Sequence, residues 1–165
     1  MKIRFHISLY LILLPSLLLT GCDKERSTAQ MPDLGIPKEE INTRLHLSAP
    51  QGWNTFKIGD DIGISVDVVS ANQIAFQHDY GAKIFVLEDE KWKEVANFMK
   101  YPDGYLVLSQ SNGDPFKIGS AVVEPILPEF NEAITLRIVL IGNIFIDGQI
   151  TDEQTAGYVD VKLSP

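Results

Sequence analysis

Cys22 carries the most nucleophilic side chain in this 165-residue sequence, and it is the only cysteine. A lone thiol excludes an intramolecular disulfide and any cysteine-based zinc or iron–sulfur cluster, since each needs at least two sulfurs. What remains for it is nucleophilic chemistry or acceptance of a covalent group. Histidine chemistry is sparse. Beyond His6 there are only His46 and His78, and in a strand His78 and Asp79 would point to opposite faces. Asp60, Asp61, Asp103 and the pair Asn112 and Asp114 offer the oxygen donors calcium prefers. None follows the twelve-residue loop with a closing Glu, so they read as turn formers that cap their own backbone. The sequence contains no G-x-S-x-G, no G-x-x-x-x-G-K-[ST] and no H-E-x-x-H. The expectation is therefore a protein that is not an enzyme, with no catalytic residues, no metal and no cofactor. Trp53, Tyr80 and Tyr101 stand in loop-like or turn-flanking positions. They are candidate binding-surface residues, because such side chains join a broad apolar face to a hydrogen-bonding tip. Trp92 reads instead as core or inter-sheet packing.

The residues before Cys22 narrow its role. Met1–His6 holds Lys2 and Arg4, and Ile7–Leu19 is a mostly apolar run of 13 residues, broken by Ser8, Tyr10, Pro15 and Ser16. A basic start and a short apolar stretch make a secretory signal peptide, expected over residues 1–21. A helix of that run is about 20 Å long, well short of a hydrocarbon core of about 30 Å. Leu19, Thr20 and Gly21 flank the expected cleavage point, with small residues suited to a narrow protease cleft. The polar Asp23-Lys24-Glu25-Arg26 follows Cys22 directly.

This arrangement resembles the lipobox of bacterial lipoproteins. The resemblance implies lipid on the Cys22 sulfur, cleavage just before it, and palmitate-type acylation of the new amino terminus. Two or three acyl chains, at about 0.8 kcal/mol per buried methylene, anchor stably where one binds marginally. The implied location is the bacterial cell envelope, with membrane lipid as a partner through Cys22. In an enteric-like host Asp23 resembles the signal that keeps a lipoprotein on the outer face of the inner membrane. Cleavage would remove Lys2 and Arg4 and no acid, leaving 12 basic and 22 acidic residues and a formal charge of −10. Nucleic acid and anionic lipid are disfavoured partners for such a chain, whereas a basic protein, a cation or a neutral glycan is compatible with it.

A composition of 45% hydrophobic and 22% charged residues suits one globular domain. Residues 22–40 comprise the cysteine and a polar, proline-containing stretch without periodicity. It reads as a flexible tether of about 20 to 25 Å reach, part of which could pack on the domain. From residue 41 to 165 the dominant period is two. Ile41, Thr43, Leu45 and Leu47 alternate with polar residues, as do Ile62 to Val68, Ile134 to Leu140 and Gly157 to Leu163. Ile84 to Leu87 and Tyr105 to Leu108 are short apolar runs. Turn residues intervene at Ser70–Asn72, Asp89–Glu90, Asn112–Asp114 and Asp147–Gly148. Trp92, Val95, Ala96 and Met99 have helical spacing over 88–100, against which stands a hairpin from Lys83–Glu88 into Lys91–Asn97. The hairpin is preferred because its neighbours are strands. The fold class expected is all-β, an antiparallel two-sheet sandwich of about seven to nine strands, with a small barrel as its rival.

The run Phe56-Lys57-Ile58-Gly59-Asp60-Asp61-Ile62, with Ile64-Ser65-Val66, Ser70-Ala71-Asn72, Ile74-Ala75-Phe76 and Asp79-Tyr80-Gly81, resembles bacterial envelope modules of immunoglobulin-like fold. These lead into strand B through lysine, any residue, glycine and an acid. A fainter similarity, through Asp79, Tyr80 and Ile84 to Val86, is to the β-sandwich intracellular proteinase inhibitor of bacilli. The function these resemblances imply is a lipid-anchored, non-catalytic binding or assembly module acting on another envelope protein or glycan. The alternatives are a surface-displayed enzyme inhibitor or hydrolase on the same anchor, and a self-associating structural lipoprotein.

Overall fold

A computed structural model describes residues 29–49, 55–57, 61–77, 82–95, 105–122 and 131–165. Within them lie ten strands: β1 (Leu45–Ser48), β2 (Thr55–Lys57), β3 (Asp61–Val68), β4 (Gln73–Phe76), β5 (Lys83–Glu88), β6 (Lys91–Val95), β7 (Leu106–Leu108), β8 (Phe116–Val122), β9 (Ile134–Ile146) and β10 (Gln149–Ser164). One sheet has the order β1-β3-β8. The other runs β2-β10-β9-β4-β7, with β5 also on β9 and β6 on β5. Every strand pairing is antiparallel except that of β2 with the end of β10. The molecule is an all-β two-sheet sandwich, as the two-residue period implies.

The alternating apolar residues supply the layer between the sheets. Leu45, Ile64, Val66 and Val68 of the small sheet meet Ile74, Phe76, Ile84, Val86, Leu136, Ile138, Leu140, Ile144, Val161 and Leu163 of the large one. Gly157 lies at the closest approach: a Cβ there would stand 2.6 Å from the Leu45 carbonyl oxygen and 2.9 Å from Leu47 Cδ1. Only a residue without a side chain lets β1 cross β10 at this distance.

β9 and β10 form one long hairpin that organises the large sheet. On its free side β9 pairs first with β5, through Leu136–Val139, and then with β4, through Asn143–Phe145. The turn Asp147–Gly148 has φ of 51° and 79°, the double left-handed geometry of a tight hairpin matched to strand twist. The same geometry recurs at Asp89 and Glu90, with φ of 47° and 62°, and joins β5 to β6. Residues 83–95 are thus the hairpin, and the helical spacing from Trp92 does not form a helix over the described part. A local turn and cross-strand pairing override a pattern that also fits 3.6 residues per turn.

The chain from Met31 to Asn42 departs from the sequence expectation in an informative way. Ile41 does not begin β1. It bridges Ala156 at the edge of β10, and Asn42, at φ 56°, redirects the chain so that Leu45 enters the other sheet. Alternation alone cannot register a left-handed residue inside it. Met31, Leu34 and Ile41 pack with buried Ile36 on the outer face of the large sheet, against Phe85, Val139, Ala156, Trp92, Ile141 and Tyr158. We refer to residues 31–42 as the strap.

Candidate functional site

Of the residues singled out from the sequence, Leu19, Thr20, Gly21, Cys22, Trp53, Tyr80 and Tyr101 lie outside the described residues, as do Asp60, His78, Asp79 and Asp103. His46 is exposed on β1, its ring nitrogen 3.0 Å from the Asn42 carbonyl oxygen. Asn112, at φ 49°, and Asp114, whose N–H donates to the Ser111 carbonyl at 2.9 Å, build a turn. Among the described residues no three His, Cys, Asp or Glu side chains come together in a way that could hold a metal ion.

Among the described residues, the most elaborate polar cluster lies under the strap. Arg137, in the middle of β9, and Asp160, its register partner on β10, both face outward from the sandwich core. Arg137 is only 3% exposed. Its Nε donates to Asp160 Oδ1 at 2.7 Å and its Nη2 to Oδ2 at 2.8 Å, the bidentate geometry that suits a planar guanidinium. The guanidinium carbon sits 4.2 Å from the ring centre of Trp92 and 4.1 Å from that of Tyr158. A weakly hydrated, delocalised cation tolerates this double stacking better than an ammonium would. Nη1 donates to Met31 Sδ at 3.1 Å, and a thioether is a weak acceptor. The indole N–H of Trp92 is buried without a partner. Trp92 therefore does not occupy the inter-sheet core; it walls the outer-face cluster.

One backbone and two side-chain hydrogen bonds fix the strap beside this cluster. Asn42 N–H donates to the Ala156 carbonyl at 2.7 Å, Tyr158 N–H to Asn42 Oδ1 at 2.9 Å, and Thr155 Oγ1 to the Glu40 carbonyl at 2.9 Å. Arg44 adds ion pairs to Glu40 at 3.3 Å and Glu153 at 2.6 Å. The strap thereby satisfies part of the β10 edge that β2 does not reach. The arrangement binds the chain to itself, because the carboxylate of Asp160 and three guanidinium nitrogens are engaged internally.

Sequence reasoning placed Arg137, Tyr158 and Asp160 on the polar faces of their strands without joining them. The Asp147–Gly148 turn gives only part of the signal: pairing outward from a two-residue hairpin sets Arg137 opposite Tyr158, and the register shift between Ile150 and Gln154, which no residue pattern announces, brings Asp160 opposite it instead.

At the other end of the same hairpin the surface is apolar and open. Ile146 and Ile150 are exposed around the turn, and the Phe145 ring lies 6.4 Å from that of exposed Tyr105. Asn143 Nδ2 donates to the Thr151 carbonyl at 2.9 Å and Thr151 Oγ1 to the Ile144 carbonyl at 2.8 Å, which fixes the irregular stretch after Ile150. Compared with protein-family models, curated proteins and solved structures, the chain finds no match in any of the three, and its function is to be read from the strap, the arginine stack and the open end.

Proposed function

We propose that the chain is a lipid-anchored protein of the bacterial cell envelope whose sandwich is a non-catalytic binding or assembly module. The observation that carries this reading is the docked strap. Eight residues separate Cys22, in its lipobox-like setting, from Met31, which rests on Arg137. Those residues span at most about 30 Å fully extended, so an acylated Cys22 holds the domain close to the lipid surface. The strap's hydrogen bonds and buried Ile36 fix residues 31–42 to the domain and so shorten the free tether to those eight residues. Such a construction suits a protein that presents a surface from a fixed place.

The strand order supports an immunoglobulin-like arrangement within the sandwich. In that arrangement strands A, B and E face C, F and G. Here β1, β3 and β8 share one sheet, and β4, β9 and β10 share the other.

The anchor is tested by the intact mass of the mature protein extracted from membranes. Wild type is expected to begin at Cys22 and to carry the added mass of two or three acyl chains. A Cys22→Ser protein should lack them and leave the membrane fraction. A wild-type mass showing an uncut or unlipidated chain would remove the anchor from the proposal. The binding role is tested separately, by whether the lipidated protein co-purifies one stoichiometric envelope component after mild cross-linking.

A further inference from the structure

Among the described residues, the large apolar side chains that stay exposed gather toward one end of the sandwich. Tyr105 is 61% exposed, Ile146 42%, Phe116 40% and Val69 39%, with Ile150 and Leu106 close behind. Three connections meet there. Ser111 ties its turn to the end of β3, with Val68 N–H donating to Ser111 Oγ at 2.8 Å and Ser111 N–H to the Val68 carbonyl at 3.0 Å. Gln73 joins Ser109 at 2.8 Å and pairs with Phe145 next to the β9–β10 turn. Exposed apolar groups gathered with a polar rim mark a surface made for contact.

The described residues around that end are acidic. Residues 61–77, 105–116 and 138–155 contain no Lys or Arg, yet they include Asp67, Asp114, Asp147, Asp152 and Glu153. Arg44 offsets Glu153, and Lys117 follows Phe116 on β8. The β5–β6 hairpin, by contrast, mixes Lys83, Lys91 and Lys93 with Glu88, Asp89, Glu90 and Glu94, and Lys83 pairs with Glu94 and Lys93 with Glu88.

The strap begins far from the apolar turn. Met31 touches Arg137, nine residues before Ile146 along β9, a separation of about 30 Å at roughly 3.3 Å per residue. The segment leading back to Cys22 therefore leaves from the end remote from the apolar turn. Resting on the reading of the chain as a membrane-anchored binding module, we infer that the β9–β10 turn end is the docking surface for a basic, amphipathic polypeptide segment of another envelope protein. Apolar anchors inside an acidic rim complement a partner with apolar residues flanked by Lys or Arg. A second copy fits poorly, because it would bring the same acids together and copies on one membrane present their turn ends side by side. Anionic lipid meets the same repulsion.

The probe is a synthetic 18-residue peptide of alternating Leu and Lys, compared with its Leu and Glu counterpart, added to the detergent-extracted mature protein. Fluorescence anisotropy should show the Lys peptide binding at least tenfold more tightly. Ile146→Ser with Ile150→Ser should weaken it about tenfold, and Asp147→Asn with Asp152→Asn about threefold, whereas Glu90→Gln at the far turn should change nothing. Equal binding by the turn-end variants and wild type would overturn the inference. So would self-association in sedimentation that Ile146→Ser abolishes, or binding of the Cys22→Ser protein to phosphatidylglycerol vesicles through the same residues. Repeating the peptide titration on Cys22→Ser separates the two claims: loss of the anchor leaves this binding intact, and loss of this binding leaves the lipid mass intact.

Discussion

The two halves of the β9–β10 hairpin belong to one sheet, with a register shift between them after Ile150, and they are covered differently. From Leu136 to Leu140 every residue of β9 is buried, because the small sheet covers one face while the strap and β6 cover the other. From Phe145 to Ile150 the same ribbon keeps apolar side chains but loses the outer cover. The buried half contains a charged residue and the open half contains none of the cations. Arg137 is accommodated because Asp160, Trp92 and Tyr158 replace the water it gives up, and a buried charge without such partners is strongly disfavoured. Hydrophobicity along the strand thus does not decide burial; the presence of a covering segment does. That difference makes the covered half a fastening and the open half a surface.

Breaking the fastening should have the largest effect. Arg137→Ala leaves the Asp160 carboxylate without its bidentate partner and opens a void between two aromatic rings. A loss of about 3 to 5 kcal/mol is expected, read from urea unfolding. The paired change Arg137→Met with Asp160→Leu should recover most of that loss, because it removes both charges while keeping volume. If Arg137→Ala cost under about 1 kcal/mol, the stack would be decoration on a face held by other contacts.

The strap comes next. Ile36 is 8% exposed and packs on Phe85, Val139 and Ala156. Ile36→Ala should cost about 2 to 3 kcal/mol if the strap unfolds with the domain. Where the strap opens on its own, the global midpoint will hold and amide exchange will accelerate selectively at Asn42 and Tyr158, whose N–H groups it fixes. Either result ranks the covered half above the open one, and a change in neither would separate the strap from the sandwich.

This pattern of cover also explains how much could be read beforehand. Alternation identified the inner faces of β3, β9 and β10, since the residues at stake, such as Val66, Ile138 and Val161, face a core through strict period two. The Asp147–Gly148 and Asp89–Glu90 turns were legible from residue type. β8 was not, because FKIGSAV contains a glycine and its pairing slips between Gly63 and Ile64. The outer-face cluster was illegible for a different reason. Polar residues at outward positions ordinarily mean solvent, and it takes the path of residues 31–42 together with Trp92 of β6 to make Arg137 a buried residue. That path depends on Asn42 at a positive φ, which no periodicity encodes.

In the open half, Gly148 holds φ 79° with nothing within 4 Å of a Cβ built on it. Gly148→Ala should therefore cost about 1 kcal/mol through backbone strain alone. Gly148→Asn should cost less, because Asn visits the left-handed region readily. A loss of several kcal/mol would mean that the turn is packed more tightly than its open surroundings indicate.

The smallest effect sharpens the comparison most. Ile146→Ser and Ile150→Ser remove two apolar side chains of the kind the buried half needs, from positions that remain 42% and 37% exposed in the folded chain. Burial contributes in proportion to the apolar area taken from water, and these side chains keep much of theirs in it. Each substitution should shift stability by about 0.5 kcal/mol or less, measured by urea unfolding, with solubility unchanged or improved. The equivalent change in the buried half, Ile138→Ser, should cost several kcal/mol, because it also buries an unpaired hydroxyl. Two isoleucines eight residues apart on one strand would then differ severalfold in what they contribute to folding.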